Sequence, residues 1–516
     1  MQMIFSVKKQ LIAEIIRTMA RSVPFKPAII SEAVCLTYQE LDKKSNALAN
    51  AIIAKGIKPQ SRIAYLGKES DKYYVLLFAC AKANCVLVPI NWRLKANEVS
   101  YILSDSESAI LFIDEETQAI LEEIQYKPLF VISLQNSEYL EEKYDKWIHS
   151  FSKVDPFIPV FPTDTFAQIY TSGTTGLPKG VELQHKSFFQ IRNSLIQNNL
   201  TWIDWRSDDI SLIGIPGFHI GGLWWALQGF SSGITQICLR VFHASVAIEI
   251  IRAHKVTIAC VVPAMIHMIL KESENLEVDF SSLRKVIYGG SPISESLLEK
   301  AIAILNCEFV QIYGLTETGN TAICLPPEVH FLGSRHLKAA GRPYPCVKVE
   351  IKDQSNACLP PFEIGEVFLF SPANMKGFWK LSDKTLEVLQ SGWIKTGDAG
   401  YLDTEGYLFI CDRIKDVIIV AGEKIYPTEV ENALLKHPLV QDAAVVGIPH
   451  EEWGESIYSF IVSHDVIKPI EIISFLRQLI ADYKIPSQFI FIDEIPRNPS
   501  GKILKRELRA LQKIAN

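Results

Sequence analysis

One segment of the chain concentrates the residue types that bind phosphate. It runs YTSGTTGLPKG over residues 170–180 and sets three glycines, three threonines, a serine and a lysine between two apolar stretches. Gly173 and Gly176 let the backbone approach an anion closely and expose N–H donors, and Lys179 supplies a cation. Further donors are the hydroxyls of Thr171, Ser172, Thr174 and Thr175. The segment predicts a phosphate cradle, with a plain hairpin turn as the alternative interpretation.

Two widespread nucleotide-binding loops do not match this segment. The P-loop pattern G-x-x-x-x-G-K-[ST] fails because Pro178 precedes the lysine and Gly180 follows it. The chain also contains no G-x-G-x-x-G, so a Rossmann dinucleotide site has no support.

Regular elements flank the loop and alternate along the chain. TFAQIY before the loop and GVEL after it have the pattern of strands. Continuous apolar runs at 62–66, 256–262 and 307–313 alternate with helical patterns such as 244–255. This alternation predicts an α/β fold, with a large N-terminal domain of parallel-rich sheets covered by helices.

The pattern of predicted helices and strands changes near residue 410. Helical patterns at 428–436 and 470–483 and strand patterns at 442–448, 456–463 and 487–493 predict a small α+β unit. The charged segment DRIKD (412–416) fits a linker between the two blocks. We therefore predict an N-terminal domain over residues 1–412 and a small mobile C-terminal domain over residues 413–516.

Composition and charge exclude several classes of protein. The 516 residues carry a formal net charge of -6, so nothing indicates a nucleic-acid partner. The ten cysteines are scattered without a C-x-x-C pair, which favours reduced thiols in a cytoplasmic protein over a disulfide framework or zinc ribbon.

One apolar stretch is long enough to be considered as a membrane-spanning helix. Residues 210–230 carry no charge over about a bilayer's thickness, but they include Pro216, His219 and several glycines. A buried, glycine-broken part of the core is favoured over a spanning helix. Peripheral contact with a membrane stays open, and so does a homodimer.

Four motifs together make the chain resemble a known family. They are the loop at 170–180, YGLTETG (313–319), GWIKTGDAGYLDTEGYLFICDRIKD (392–416) and PRNPSGKILKREL (496–508). In this order and spacing they resemble the AMP-forming adenylating superfamily of acyl-CoA synthetases, luciferases and peptide-synthetase adenylation domains. The resemblance runs from about Leu36 to Leu508 and is closest to the fatty-acid CoA ligases.

The resemblance implies a two-step reaction with ATP, coenzyme A and Mg²⁺. A carboxylate attacks the α-phosphate of ATP, and a thiol then takes the acyl group from the acyl-adenylate. The implied catalytic residues are Lys502, Thr171, Lys179 and Glu317, and Glu317 is also the implied Mg²⁺ ligand. The implied nucleotide site adds residues 172–176 of the loop, Gly289, Gly290, Ser291, Gln311, Tyr313, Gly314, Thr316, Asp398 and Arg413. Capping of a helix is the structural alternative for Thr316 and Glu317.

The same resemblance implies positions for the acid, the thiol and the hinge. The implied acyl-substrate pocket contains His219, Gly222, Trp224 and Tyr288, and Lys415 is the implied hinge, with Gly422 lining the thiol channel. Because His219 stands where amino-acid-activating relatives carry an aspartate, an amino-acid substrate is disfavoured. Phe378 and Cys411 replace a commoner tyrosine and glycine, at positions expected to lie outside the chemistry.

The favoured function is an acyl-CoA ligase for a medium- or long-chain fatty acid. Aryl acids of the coumarate or succinylbenzoate type stay open, because one sequence does not give the depth of the pocket. An acyl-AMP ligase that loads a carrier protein is the second alternative. A non-catalytic nucleotide-binding or membrane-associated protein is disfavoured, since every implied catalytic position is occupied.

Overall fold

The computed structural model describes residues 10–32, 34–135, 140, 142–171, 177–274, 278–463, 465–497 and 503–515. In that part of the chain the helices are α1 Ile12–Ser22, α2 Tyr38–Ala54, α3 Asp71–Ala83, α4 Ala96–Ser106, α5 Tyr144–Ser150, α6 Gln190–Gln197, α7 Ile220–Ser231, α8 Ala244–His254, α9 Pro263–Ser273, α10 Glu295–Leu305, α11 Ser382–Val388, α12 Pro427–Leu434, α13 Pro469–Leu476 and α14 Lys505–Ala515.

Strands lie between these helices along most of the chain. In chain order they are β1 Pro27–Ser31, β2 Val34–Thr37, β3 Arg62–Leu66, β4 Val86–Ile90, β5 Ile110–Ile113, β6 Phe130–Ser133, β7 Thr165–Thr171, β8 Lys179–Gln184, β9 Ile210–Ile213, β10 Thr235–Cys238, β11 Ile258–Val261, β12 Lys285–Gly289, β13 Glu308–Tyr313, β14 Ile323–Leu325, β15 Arg342–Pro343, β16 Lys348–Lys352, β17 Gly365–Phe370, β18 Gly377–Phe378, β19 Leu389–Gln390, β20 Trp393–Leu402, β21 Leu408–Arg413, β22 Ile418–Val420, β23 Glu423–Ile425, β24 Val440–His450, β25 Gly454–Ser463 and β26 Gln488–Phe491.

Two large sheets form the centre of the N-terminal part. Within the described residues, one has nine strands in the order β15-β14-β13-β12-β11-β9-β10-β1-β2, and the other has seven in the order β18-β8-β7-β4-β3-β5-β6. Most neighbouring strands in both run parallel, with antiparallel pairs towards the edges. The predicted fold class is confirmed. Parallel pairing follows from the buried Val and Ile runs that alternate with helices.

A third sheet was not predicted from the sequence. Strands β16, β17, β20, β19 and β21 form a five-stranded antiparallel sheet in the described part of the chain. It ends with β21, whose last residue, Arg413, lies opposite Asp398 on β20. This sheet therefore carries two of the implied nucleotide-binding residues.

The C-terminal part has its own hydrophobic cores. The largest core of the chain reaches as far as Leu408, whereas a separate cluster begins at Ile418 and lies between α12, α13 and the sheet of β22 to β26. A further cluster around Phe460 and Leu508 covers the other face of that sheet. This division agrees with the expected small α+β unit, while the boundary between 412 and 413 stays a prediction.

The uncharged stretch at 210–230 does not form one helix. It consists of β9, a loop through Pro216 and Gly217, and α7. Among the described residues no helix is long and apolar enough to cross a membrane. Pro216 and the glycines break the stretch as their backbone preferences require.

Candidate active site

The two ends of the predicted phosphate cradle lie side by side. β7 and β8 form an antiparallel hairpin in which Thr171 faces Lys179. The hairpin interpretation of the flanking strands is therefore correct, and it is compatible with a cradle at the tip. Ser172, Gly173, Thr174, Thr175 and Gly176 lie outside the described residues, so their phosphate contacts stay a prediction.

Lys179 lies beside an aromatic ring that the sequence did not identify. Its Nζ is 5.2 Å from the centroid of the Phe378 ring. Phe378 is buried on β18, which pairs with β8 and sets Phe378 opposite Val181. The expectation that Phe378 lies away from the proposed site is wrong, because the pairing of two distant strands brings its ring to Lys179. A cation over an aromatic face is attracted by the ring's quadrupole.

Glu317 occupies a short turn after β13. The turn is held by Thr318, whose Oγ1 accepts a hydrogen bond from the Leu315 N–H at 2.8 Å. The Glu317 carbonyl accepts from the Met375 N–H at 2.8 Å. Thr318 caps this turn, and the Glu317 carboxylate accepts a local hydrogen bond from its own backbone N–H. The capping alternative for Thr316 and Glu317 therefore stays beside the implied metal role.

Four charged groups of the implied site lie in one neighbourhood. Burial raises the pKa of Glu317, the positive charges of Arg413 and Lys179 oppose that rise, and the negative charge of Asp398 adds to it. β8 also contacts the turn over 316–318. The hairpin, the Glu317 turn and the third sheet therefore converge on one region.

A hydrogen-bonded set surrounds Asp398. The Tyr313 hydroxyl donates to Asp398 Oδ2 at 2.6 Å, and Arg413 Nε pairs with Asp398 Oδ1 at 2.8 Å. Arg413 Nη1 also donates to the Thr396 carbonyl at 3.0 Å. Burial raises the pKa of Tyr313, so its hydroxyl keeps its proton at neutral pH. A carboxylate is the kind of acceptor that suits the paired hydroxyls of a ribose; the ribose contact of Asp398 stays a prediction.

Three glycines of the implied nucleotide site lie where a side chain would clash with the backbone or where φ is positive. A Cβ on Gly289 would lie 2.3 Å from the Ile312 carbonyl oxygen, and Gly290 has φ +85. A Cβ on Gly314 would lie 2.2 Å from the Asn320 carbonyl oxygen. Ser291 follows Gly290 just beyond the end of β12. Gly289 ends the buried strand β12 and Gly290 follows it, while the contact of these glycines with the nucleotide stays a prediction.

Gln311 is bound to the predicted pocket residue Tyr288. The Tyr288 hydroxyl donates to Gln311 Oε1 at 3.0 Å and lies 3.1 Å from His330 Nε2. Tyr288 is fully buried, and Trp224 is nearly so. Burial of both aromatics agrees with positions in a pocket wall, while their contact with the acid stays a prediction.

His219 and Gly222 begin α7. His219 Nε2 is buried and has no hydrogen-bond partner among the described residues. Burial lowers the pKa of His219 to about 4, and the positive charge of Arg93 lowers it further, so the imidazole is neutral at neutral pH. A Cβ on Gly222 would lie 2.3 Å from the carbonyl oxygens of Ile215 and Pro216. This glycine therefore packs against the loop of residues 214–219 between β9 and α7.

Sequence reasoning missed two residues that fasten this loop. The Gly217 N–H donates to Glu69 Oε2 at 2.9 Å, and the Tyr73 hydroxyl donates to the Gly217 carbonyl at 2.8 Å. The Tyr74 hydroxyl donates to Glu69 as well. Burial raises the pKa of Glu69 to about 7, which the hydrogen bonds from Gly217 and Tyr74 oppose. An acidic side chain close after the buried strand β3 was the available signal.

The hinge and thiol-channel residues lie near the start of the C-terminal part. Lys415 is exposed in a short turn between β21 and β22. Gly422 is exposed in the turn between β22 and β23, with φ +89. Lys502 lies outside the described residues. The roles of all three stay predictions.

The side chains present fit a magnesium ion that is bound together with substrate phosphates. No group of three or more His, Cys, Asp or Glu side chains that could hold a metal ion occurs among the described residues. Glu317 offers a single carboxylate in the turn after β13. Mg²⁺ is commonly held by one or two carboxylates together with phosphate oxygens and water, where it neutralises developing phosphate charge.

Family models match both parts of the chain. The model of the AMP-binding enzyme matches residues 16–379, and that of the AMP-binding enzyme C-terminal domain matches residues 429–502. The chain belongs to the AMP-binding enzyme family. The resemblance inferred from the four motifs is thereby confirmed.

Individual relatives of the family are similar over nearly the whole chain. The fatty acid–[acyl-carrier-protein] ligase ScoC of Streptomyces coeruleorubidus is 52% identical over 95% of this chain and 94% of that protein. The long-chain-fatty-acid–CoA ligase FadD13 of Mycobacterium tuberculosis is 34% identical over 93% of each chain. The solved o-succinylbenzoate coenzyme A synthetase of Bacillus subtilis, in complex with ATP and magnesium ion, is 29% identical, covers 96% of this chain and 99% of its own, and has a TM-score of 0.83.

These comparisons establish the reaction class. The chain is an AMP-forming acid–thiol ligase that uses ATP and Mg²⁺. The predicted enzyme class and the predicted nucleotide and metal cofactors are confirmed. The acid and the thiol acceptor are finer questions that the relatives answer differently.

Proposed function

We propose that the protein activates a medium- or long-chain fatty acid and transfers it to the thiol of an acyl-carrier protein. One observation carries this choice of acceptor: 52% identity to a fatty acid–[acyl-carrier-protein] ligase, against 34% to a long-chain-fatty-acid–CoA ligase, with similar coverage. Coenzyme A, the acceptor favoured by the motifs alone, is the second candidate. Aryl acids are the alternative substrates.

In the first step the acid is joined to AMP. A carboxylate oxygen of the acid attacks the α-phosphorus of ATP, the bond to the β-phosphate oxygen breaks, and pyrophosphate leaves. Asp398 accepts the ribose hydroxyls, while Tyr313 and Arg413 hold its carboxylate in place. Lys179 and the 171–176 loop neutralise the leaving pyrophosphate, and Lys502 bridges the acid and the α-phosphate.

In the second step the acyl group moves to sulfur. The thiolate attacks the acyl carbon, the bond to the AMP oxygen breaks, and the thiol proton passes to solvent. The C-terminal part turns about Lys415 between the two steps and brings the loop around Gly422 to the acyl-adenylate. Exposure of Lys415 and Gly422 supports this assignment, since a hinge and a channel mouth need solvent-exposed, conformationally permissive positions.

A single assay with two acceptors tests the proposal. The full chain is incubated with ATP, Mg²⁺ and a panel of straight-chain and aromatic acids, with either a holo acyl-carrier protein or coenzyme A. We expect an acyl mass increment on the carrier protein and fatty acids preferred over aryl acids. Acyl-CoA as the only thioester product would contradict the carrier-protein proposal and favour the second candidate.

A further inference from the structure

Asn320 is a buried polar residue that the proposed chemistry does not use. It follows the Glu317 turn and is only 9% exposed. Its Nδ2 has no hydrogen-bond partner among the described residues. Buried amide groups are almost always paired in native proteins, so an unpaired one beside an active site points to a partner that arrives with the ligand.

The backbone of Asn320 is held tightly in an unusual conformation. Its N–H donates to the Leu315 carbonyl at 3.1 Å, and its carbonyl oxygen packs against Gly314. Its φ is +96, a region that asparagine tolerates better than most residues with a side chain. The carboxamide is therefore presented from a fixed backbone.

The side chain faces the start of α7. Asn320 Oδ1 is 3.7 Å from the point that a Cβ on Gly221 would occupy, and Ile215 is the other side chain near that point. Gly221 is two residues after His219, whose Nε2 is also buried and unpartnered in the described structure. The unpaired side-chain atoms of Asn320 and His219 thus both lie near the first turn of α7, where Gly221 has no side chain.

We propose that Asn320 is a specificity-determining residue that donates a hydrogen bond to an oxygen on the acyl chain of the acid. This inference rests on the proposed function, because it names the kind of fatty acid that the same site takes. A hydroxyl or keto oxygen would pair the carboxamide, whereas a plain alkyl chain would bury it unpaired. Sites built around a buried polar group discriminate against substrates that lack its partner.

The test compares acids of equal chain length. Adenylation is followed as pyrophosphate release with octanoic acid, 3-hydroxyoctanoic acid and 5-oxooctanoic acid. For the wild-type protein we expect kcat/KM for at least one oxygenated acid to exceed that for octanoic acid by about 5- to 150-fold. A wild-type protein without such a preference would overturn the inference.

Two variants attribute the preference to the side chain. Asn320→Gly removes the carboxamide and tolerates the positive φ, so the backbone is not strained. The matched control is Asn306→Gly, at an exposed asparagine with φ +44 that ends α10. We expect Asn320→Gly to lose the preference and Asn306→Gly to keep it. A preference that persists in Asn320→Gly would overturn the inference, and adenylation of none of the three acids would instead contradict the proposed function.

Discussion

The Tyr313 hydroxyl donates a 2.6 Å hydrogen bond to Asp398 across 85 residues of sequence. Tyr313 ends β13 of the nine-stranded sheet, and Asp398 lies on β20 of the antiparallel sheet. The bond joins two sheets at the point where the implied nucleotide site lies. It also fixes the orientation of the carboxylate before any ribose arrives.

Removing this bond should weaken nucleotide binding. We expect Tyr313→Phe to lower ATP affinity by about 2- to 10-fold, because one hydrogen bond to a charged group is lost while the ring is kept. Asp398→Asn should lower it further, since it also removes the ion pair with Arg413. Calorimetric titration with ATP measures both. Unchanged affinity in Asp398→Asn would remove that residue from the nucleotide site.

The magnesium requirement should depend on pH through Glu317. Burial raises the pKa of Glu317, so its ionised form is lost on acidification at a higher pH than for an ordinary carboxyl. We expect the Mg²⁺ concentration for half-maximal pyrophosphate release to increase as the pH falls through that raised pKa. In Glu317→Gln this concentration should be high at every pH.

The control for this prediction is the exposed Glu363→Gln, which should behave like the wild type. A Glu317→Gln variant with the wild-type magnesium dependence would show that Glu317 does not hold the ion.

The ring of Phe378 should support Lys179. We expect Phe378→Leu to raise the KM for ATP by about 2- to 30-fold, because a cation–π contact contributes about 0.5–2 kcal/mol. Phe378→Tyr keeps the ring and should stay near the wild-type value. ATP–pyrophosphate exchange measures the KM. Equal values for the leucine and tyrosine variants would argue against a role for the ring.

Glu69 should make stability depend on pH in a specific direction. Its pKa rises from 4.5 to about 7 on folding, so the folded state holds an extra proton between these values. The stabilisation is complete below about pH 4.5 and is lost as the pH rises through about 7. The glutamine of Glu69→Gln stays neutral at every pH. The thermal midpoint of this variant should therefore increase relative to that of the wild type between pH 5 and pH 8.

Burial raises the pKa of Glu431 to about 7 as well, and Glu431 provides the matched control because it lies on α12 in the C-terminal part, far along the chain from Gly217. Both Glu69→Gln and Glu431→Gln should flatten the pH profile of the thermal midpoint. Of these two variants, only Glu69→Gln should also change the KM for the acid, since Glu69, unlike Glu431, accepts the Gly217 N–H. If the thermal midpoints of Glu69→Gln and the wild type changed by the same amount across this pH range, the raised pKa of Glu69 would be contradicted.

Local patterns predicted much of the fold. Strand β3, for example, spans the predicted residues 62–66. The predicted helix at 470–483 was too long, since α13 ends at Leu476 and residues 482–484 form a separate turn. An apolar pattern continues through such a break because both segments pack on the same core.

Contacts between distant segments could not be predicted in this way. The third sheet pairs short strands such as β16, most of whose residues are at least partly exposed, so it lacks the continuous apolar runs of the parallel sheets. Glu69 meets Gly217 across 148 residues, and Phe378 reaches Lys179 through strand pairing. One sequence has no local signal for such pairs. The motifs predicted the nucleotide residues because their order along the chain resembles that of a family.

Formation of an acyl-adenylate with the help of Lys502 is tested by ATP–pyrophosphate exchange that depends on an added fatty acid, measured without any thiol. We expect acid-dependent exchange in the wild type, loss of exchange in Lys502→Ala, and ATP binding retained in that variant, as this role of Lys502 requires. No acid-dependent exchange in the wild type, or undiminished exchange in Lys502→Ala, would contradict it.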